Sequence, residues 1–330
     1  MRNSLRVKNF LILMVTALVV LSCNLDDGID TIPIPDSNLV DLISADANLS
    51  SLNAALERAD LVTTLQGNGP FTILAPDNSA FNSFLGAAGF ASVNDVPVEI
   101  LRQLLLNHVV AGSLDSAPLI NLQRNYLETL ADGPTDGTKL ALYFDAVNGI
   151  TFNGISTVTT ADKPASNGIY HIVDGVIGLP TVATFIGVDL NFESFDTSLD
   201  LIAPVSDLPT SLEESTGPFT IFIPIEHAFD NLLASNDDWD FLSDIDEDLL
   251  NSVINHHVLN GNIRSTDITG GQTATTLEGD DITFVTLDGN LEITDGSGNE
   301  GAIIGVTDIQ ASNGVIHAVA NNVLIPDTMN

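Results

Sequence analysis

Four histidines stand where two halves of the chain repeat each other: His108 in Leu-Asn-His-Val, His257 in His-His-Val-Leu, His171 in Ile-Tyr-His-Ile and His317 in Val-Ile-His-Ala. Imidazole transfers protons near neutral pH and ligates zinc, so these positions are the first candidates for chemistry. A metal site needs three or four ligands converging at bonding distance. No cysteine or carboxylate stands near these histidines at a ligand-type spacing. All four lie in apolar stretches, where the expected state is a buried ring satisfied by backbone groups. His256 and His257 are adjacent, so on a helix they point about 100° apart and do not chelate one ion together.

Asp295-Gly-Ser-Gly-Asn-Glu300 is the second candidate, with oxygen donors at Asp295, Ser297 and Asn299 alternating with glycine as in calcium loops. It has Glu300 where such a loop wants glycine and Val306 where it wants glutamate. A hairpin turn between strands at 291–294 and 303–306 explains it without metal. Two acidic clusters follow from the same search, at 236–240 and 244–248; the second reads as an acidic helix start. Trp239, the only tryptophan, sits in the first cluster, either as an aromatic platform for a sugar or as a satellite core contact. No nucleophile elbow, phosphate loop or zinc-binding helix signature occurs. The chain therefore offers no catalytic residue, calls for no cofactor, and reads as a non-enzyme.

The elements that must position these residues are themselves repeated. Gly69-Pro-Phe-Thr-Ile-Leu-Ala-Pro76 returns as Gly217-Pro-Phe-Thr-Ile-Phe-Ile-Pro224. Each reads as a turn, a short buried strand and a proline stop, followed by a helix anchored on Ala80-Phe81 or Ala228-Phe229. Ala165-Ser-Asn-Gly-Ile-Tyr-His-Ile-Val173 returns as Ala311-Ser-Asn-Gly-Val-Ile-His-Ala-Val319. Gly69 and Gly217, His108 and His257, and His171 and His317 lie 148, 149 and 146 residues apart. Three motifs in one order at one spacing mean tandem duplication of a whole domain, since solenoid periods are far shorter.

Helical apolar spacing occurs at 39–43, 49–65 and 98–110 in the first copy, and around 192–199 and 249–258 in the second. Strand patterns follow at 126–130, 140–144, 150–152, 156–160 and 168–173, then at 273–277, 282–286, 291–294, 305–308 and 314–320. Helices first and strands later indicate α+β. Residues 181–185 read as the connection. With no low-complexity linker between them, the copies are expected to pack or to be joined stiffly.

The opener Gly-Pro-Phe-Thr-Ile, the central Asn-His-Val-Val or His-His-Val-Leu, and the closer Ser-Asn-Gly-x-x-His-x-Val strongly resemble the fasciclin domain. The resemblance covers nearly all the chain after about Asp36. It implies two α+β domains, at 36–180 and 184–326, each a β-sandwich-like wedge core with N-terminal helices packed on it. It also implies adhesion or interaction outside the cell and no general catalytic activity. A Tyr/His element is linked to integrin binding in animal matrix members. Here the central motifs keep His108 and His257 without a nearby tyrosine, and the pair Tyr170-His171 lies in the closer, so an integrin partner carries over poorly.

Residues 1–23 read as a targeting segment: Arg2, Arg6 and Lys8, then an apolar run over 10–21 too short to span a membrane, then Ser22-Cys23. That ending resembles a bacterial lipobox, with Cys23 as the lipidated first residue of the mature chain. Residues 24–35, acidic with spaced prolines, form a tether. Cys23 is the only cysteine, so no disulfide forms within a monomer.

The chain holds nine basic and 44 acidic residues. Three of the basic ones lie in the leader, leaving six against 44, a formal net of −38 after its removal. Past Lys163 only Arg264 is basic. Such a surface repels nucleic acid and anionic lipid head groups, stays soluble in salt, and suits cationic or calcium-bridged partners. The reading is a lipid-anchored protein of the bacterial cell envelope, at the outer membrane or cell surface, presenting two domains to a protein or polysaccharide. The alternative is a hydrolytic or carbohydrate-processing accessory role, which requires a cleft with perturbed carboxylates, for instance around Asp237 to Asp240.

Overall fold

The computed structural model describes residues 36–287 and 289–327. The leader, Cys23 and the tether lie outside the described residues. Among the described residues no helix is long and apolar enough to cross a membrane.

The first copy opens with helices α1 (Leu39–Ala45), α2 (Ser50–Arg58) and α3 (Val62–Leu65). The single helix expected over 49–65 is broken because Asp60 takes φ 54, a left-handed conformation no helix continues through. The Leu61 N–H returns to the Leu56 carbonyl, closing α2 as a Schellman-type turn. Then come β1 (Phe71–Pro76), α4 (Asn78–Ala87), α5 (Val98–Leu106) and β2 (Val109–Ala111). Asp77 caps α4 by accepting from the Ala80 N–H at 2.8 Å. The helix expected to run through Val110 stops at Leu106, and Val109 pairs with Ile73 of β1 instead. After α6 (Ser116–Leu122) the chain runs through β3 (Arg124–Asp132), β4 (Lys139–Asp145), β5 (Thr151–Phe152), β6 (Ser156–Ala165) and β7 (Gly168–Val173).

The second copy repeats the order: α7 (Val182–Val188), α8 (Glu193–Ile202), α9 (Leu208–Glu214), β8 (Phe219–Pro224), α10 (Glu226–Leu233), α11 (Glu247–Asn255) and β9 (Val258–Asn260). The strands β10 (Thr273–Thr275), β11 (Asp281–Leu287), β12 (Asn290–Thr294), β13 (Ala302–Ala311) and β14 (Gly314–Val319) complete it. The stretch expected to connect the copies is instead the capped start of α7: the Thr181 hydroxyl accepts from the Thr184 N–H at 3.2 Å.

The opener and closer motifs meet in space. β1 pairs in parallel with β7, Phe71 opposite Gly168, and β8 pairs with β14 in the same register, Phe219 opposite Gly314. The seven strands of the first copy close into a barrel, whereas those of the second form a seven-stranded sheet in the order β10-β11-β12-β13-β14-β8-β9. Strand alternation then divides each core in two. Ile73 and Ala75 face the helices while Leu74 joins Phe144 and Phe152 on the other side of the sheet. Ile221 and Ile223 face helices in the second copy, and Phe222 joins Phe284 and Ile293 on the other side.

The copies share apolar interior. Ala141 and Tyr143 of β4 belong to the helix-side cluster of the second copy. The Tyr126 ring meets Phe185 edge-on at 5.4 Å and Tyr143 at 5.2 Å, and its hydroxyl donates to Asp189 at 2.8 Å. The Ser312 N–H and hydroxyl both donate to the Pro180 carbonyl, at 2.7 and 2.8 Å. The stiff joining expected from the missing linker is therefore a packed interface.

Candidate functional site

The repeated histidines form two pairs of equivalent latches. His108 donates from Nδ1 to the Leu104 carbonyl at 2.8 Å, and its Nε2 accepts from the Ile177 N–H at 2.9 Å. His257 does the same with Val253 at 2.7 Å and Leu324 at 2.9 Å. Each ring ties the end of a helix to the segment after the last strand. His171 and His317 donate from Nε2 to the carbonyls of Leu114 and Ile263, both at 2.9 Å, and accept at Nδ1 from the Asp162 and Asp308 N–H groups. These bonds require the neutral tautomer. Burial pushes His108 down to about 4 and His257 to about 3, and also lowers His317. None of the four is more than 1% exposed: they are the buried, backbone-bonded rings that their apolar stretches lead one to expect, and they hold the scaffold. Tyr170 is buried too, inside the first copy's helix-side core.

Beside these latches stand asparagines that the motif contained and the reading left without a role. Asn167 accepts from the Leu39 N–H at 2.9 Å and donates to the carbonyls of Leu65 and Gly67. Asn313 accepts from Val182 at 2.8 Å and donates to Leu212 and Ser215. One side chain thus caps the first helix and closes the third. Gly69 and Gly217 take positive φ of 34° and 62°, and a Cβ there would stand 2.2 and 2.1 Å from the Asn167 and Asn313 carbonyl oxygens. The glycine of the opener is required by the backbone carbonyl of the closer's turn, a link visible only once the strands pair.

In the 295–300 loop the Asp295 carboxylate is already occupied. Oδ1 accepts from the Ser297 hydroxyl at 2.9 Å and the Asn299 N–H at 2.8 Å, and Oδ2 accepts from the Ile325 N–H at 2.9 Å and Asn299 Nδ2 at 3.2 Å. Asp295, Ser297 and Asn299 come together as an Asp-centred turn that staples the β12–β13 hairpin to the C-terminal strand exit. Nearby, buried His256 accepts from the Gly296 N–H at 3.0 Å and lies 3.5 Å from the Glu278 carboxylate; burial lowers it, with Glu278 opposing.

The space left open lies elsewhere. Trp239 packs on the second copy's core and lines a cavity of about 600 Å³ with Asn231, Asn236, Asn299, Glu300 and Asn322. A cleft of about 260 Å³ runs between the copies, lined by Tyr126, Tyr143, Asp189 and Arg124. The Tyr143 hydroxyl is buried there with no hydrogen-bond partner among the described residues, and burial, then the Asp189 charge, pushes it up to about 12. Of the acids singled out for a hydrolytic role, Asp237 and Asp238 are exposed. Asp240 lines a third cavity with Glu193 and Glu226, and the Glu226 carboxylate is engaged by the Ser194 N–H and hydroxyl at 2.8 and 2.6 Å.

The fasciclin domain model matches residues 47–180 and 193–326. The chain is 27% identical over 297 residues to the pig transforming growth factor-beta-induced protein ig-h3, covering 89% of this chain and 40% of that protein. It is 34% identical over 140 residues to an uncharacterised Synechocystis protein, covering 42% of this chain and 96% of that one. The chain spans less than half the length of the animal relative. Among solved structures, a FAS1 domain pair from the insect cell adhesion molecule fasciclin I is similar over 83% of this chain and 93% of that one, at 19% identity and a TM-score of 0.47. Both repeats, each with its opener, central histidine and closer, fall within the matched residues, and the chain therefore belongs to the fasciclin-domain family, carrying two copies of the domain.

Proposed function

We propose that this chain is an extracytoplasmic interaction protein that presents two packed fasciclin domains to a protein or polysaccharide partner from a lipid anchor at Cys23. The observation that carries the reading is a division of labour. Repeated titratable residues are turned inward and bonded, while features that differ between the copies line outward cavities. Such a scaffold, equivalent inside and altered at its rim, suits recognition. The anchor rests on the basic start, the short apolar run and Ser22-Cys23, and the acidic tether that follows would hold the domains off a membrane.

A pull-down from the native envelope with the mature chain tests the role. Specific retention of a protein or glycan, relative to an equally acidic control protein, is expected. Retention of nothing, with and without calcium, overturns it. For the anchor, mass spectrometry of the mature N-terminus should find acylated Cys23, and Cys23→Ser should release the protein from the membrane fraction; an unmodified Cys23 on a membrane-bound chain counters it.

A further inference from the structure

We infer that the cavity beside Trp239 is a subsite for an uncharged hexopyranose unit of a glycan. The inference rests on the proposed interaction role and narrows it to one copy, one cavity and one ligand class.

Trp239 is half-buried, with part of its ring packed on the core and part lining the cavity. An indole face offers a flat apolar surface with a negative quadrupole, suited to the C–H groups on one side of a pyranose ring. Around it stand groups with unused hydrogen-bonding capacity among the described residues. Asn231 donates Nδ2 to the Asn321 carbonyl at 3.0 Å, which leaves its Oδ1 as an acceptor. Asn236 accepts from the Asp238 N–H at 3.0 Å, which leaves its Nδ2 as a donor. Asn299 has committed its Nδ2 to Asp295 and Ser297, leaving its Oδ1. Glu300 and Asn322 line the same cavity and enter no hydrogen bond or ion pair with the described residues. Amides with donor and acceptor side by side, and one carboxylate, match hydroxyls, each of which both donates and accepts. No lysine or arginine lines the cavity, and the second copy's only cation, Arg264, lies 3.3 Å from Asp308. A sulfate, phosphate or uronate would therefore meet Glu300 and the acidic surface with nothing to offset its charge.

The cavity is assembled from three differences between the copies. Phe90 occupies the place of Trp239, one turn before the equivalent short 3-10 helices at Val93–Asp95 and Leu242–Asp244. The turn at 153–155 between β5 and β6 becomes the longer loop 295–301 between β12 and β13, which carries Asn299 and Glu300. The strand exit has gained one residue: Val173 and Val319 are equivalent in their pairing with Pro76 and Pro224, but the histidine latches then close on Ile177 and Leu324, 147 rather than 146 apart. The added residue falls at Asn321-Asn322. Three separate changes converging on one polar–aromatic cavity point to recognition rather than drift in a solvated loop.

The sole tryptophan is its own reporter. The mature full-length chain is titrated with neutral gluco-, manno-, galacto- and N-acetylglucosamine oligosaccharides, and with uronate and sulfated oligosaccharides, while indole emission is followed. A saturable shift with at least one neutral series and none with the acidic ones is expected. By calorimetry, Trp239→Phe, which installs the residue type of the first copy, should weaken binding about tenfold, and Asn322→Ala or Glu300→Gln about fivefold, with circular dichroism unchanged. In the Trp239→Phe background, Phe90→Trp should give an indole that does not respond. Silence across the neutral panel, equal binding of acidic sugars, or undiminished binding by folded Trp239→Phe each overturns the subsite. These failures are separable from failure of the broader role: a protein partner captured by a chain that ignores sugars removes the subsite and leaves the interaction reading standing.

Discussion

The two copies repeat the same buried polar bonds and are unlike at their rims. Each places one histidine between a helix end and the strand exit, one histidine between the closing strand and the loop beside it, and one asparagine between its first and third helices. Outside these bonds the copies diverge. The first closes its strands into a barrel, holds most of the basic residues, and lends Tyr126 and Tyr143 to the interface. The second has a longer β12–β13 loop, the tryptophan and a single arginine. The difference teaches where duplication leaves freedom. A buried bond to the backbone cannot be dropped without stranding a polar group, which costs about 1–3 kcal/mol each time, whereas a rim residue has water as an alternative partner.

The largest expected effect tests that equivalence. His108→Ala or His257→Ala should each cost about 3–5 kcal/mol, because two backbone groups lose their partners and a ring-sized cavity opens. Against a typical total of about 5–15 kcal/mol, either loss brings a domain close to unfolding. Urea unfolding read by hydrogen exchange in each copy checks it; a neutral outcome in one copy alone would break the comparison.

Next comes pH. The unfolded chain binds protons on these rings near pH 6.5 while folded His108 resists until about 4 and His257 until about 3. Their contribution is therefore complete above pH 6.5 and is lost as pH falls toward 4, by about 3 kcal/mol for His108 on the scale of ~1.4 kcal/mol per pH unit. Stability measured from pH 7 to 4 should fall in both copies, and His108→Gln should flatten the fall in the first.

The interface supplies two opposed variants. Tyr126→Phe removes the hydroxyl that donates to Asp189 and should cost about 1–2 kcal/mol, while Tyr143→Phe removes a buried hydroxyl with no partner among the described residues and should be neutral or stabilising by up to about 1 kcal/mol. Calorimetric unfolding of both variants decides between this account and one in which the two tyrosines are equivalent. The smallest effect is ionic. Raising salt to about 0.5 M should protect core amides of the second copy more than the first, by less than about 1 kcal/mol, because the second has a single arginine, Arg264, to offset its carboxylates. Equal protection would show that charge is not what separates the copies.

Much of the fold was legible. The Gly-Pro-Phe-Thr-Ile strand, the capped helix after it and the closing Gly168–Val173 strand fall where turn chemistry and apolar alternation put them. Two helices overran because Asn107-His108-Val109 and His256-His257-Val258 continue a helical apolar pattern, and only pairing with β1 and β8 pulls those valines into strands. The helices α6 and α9 carry one and two buried apolar residues, too few for a periodic signal. For the site, Trp239 stood out by its rarity and Asn299 and Glu300 as part of a calcium-like loop, but nothing joined the two stretches, and Asn322 did not stand out. The last three come from a hairpin loop and a strand exit, and no local pattern says that such segments share a wall.

The amino-acid sequence by itself determined that one unit was copied, in what order its elements run, that its histidines sit in apolar surroundings, and that its surface is strongly acidic. Those properties are local or additive, written in motif spacing, apolar period and residue counts. Tertiary structure alone decided which backbone groups each histidine and asparagine would satisfy, how Tyr126 and Tyr143 join the copies, and that a loop, a helix and a strand exit frame Trp239. Those depend on contacts between residues far apart in the chain, made only when parallel pairing of opener and closer brings the segments together.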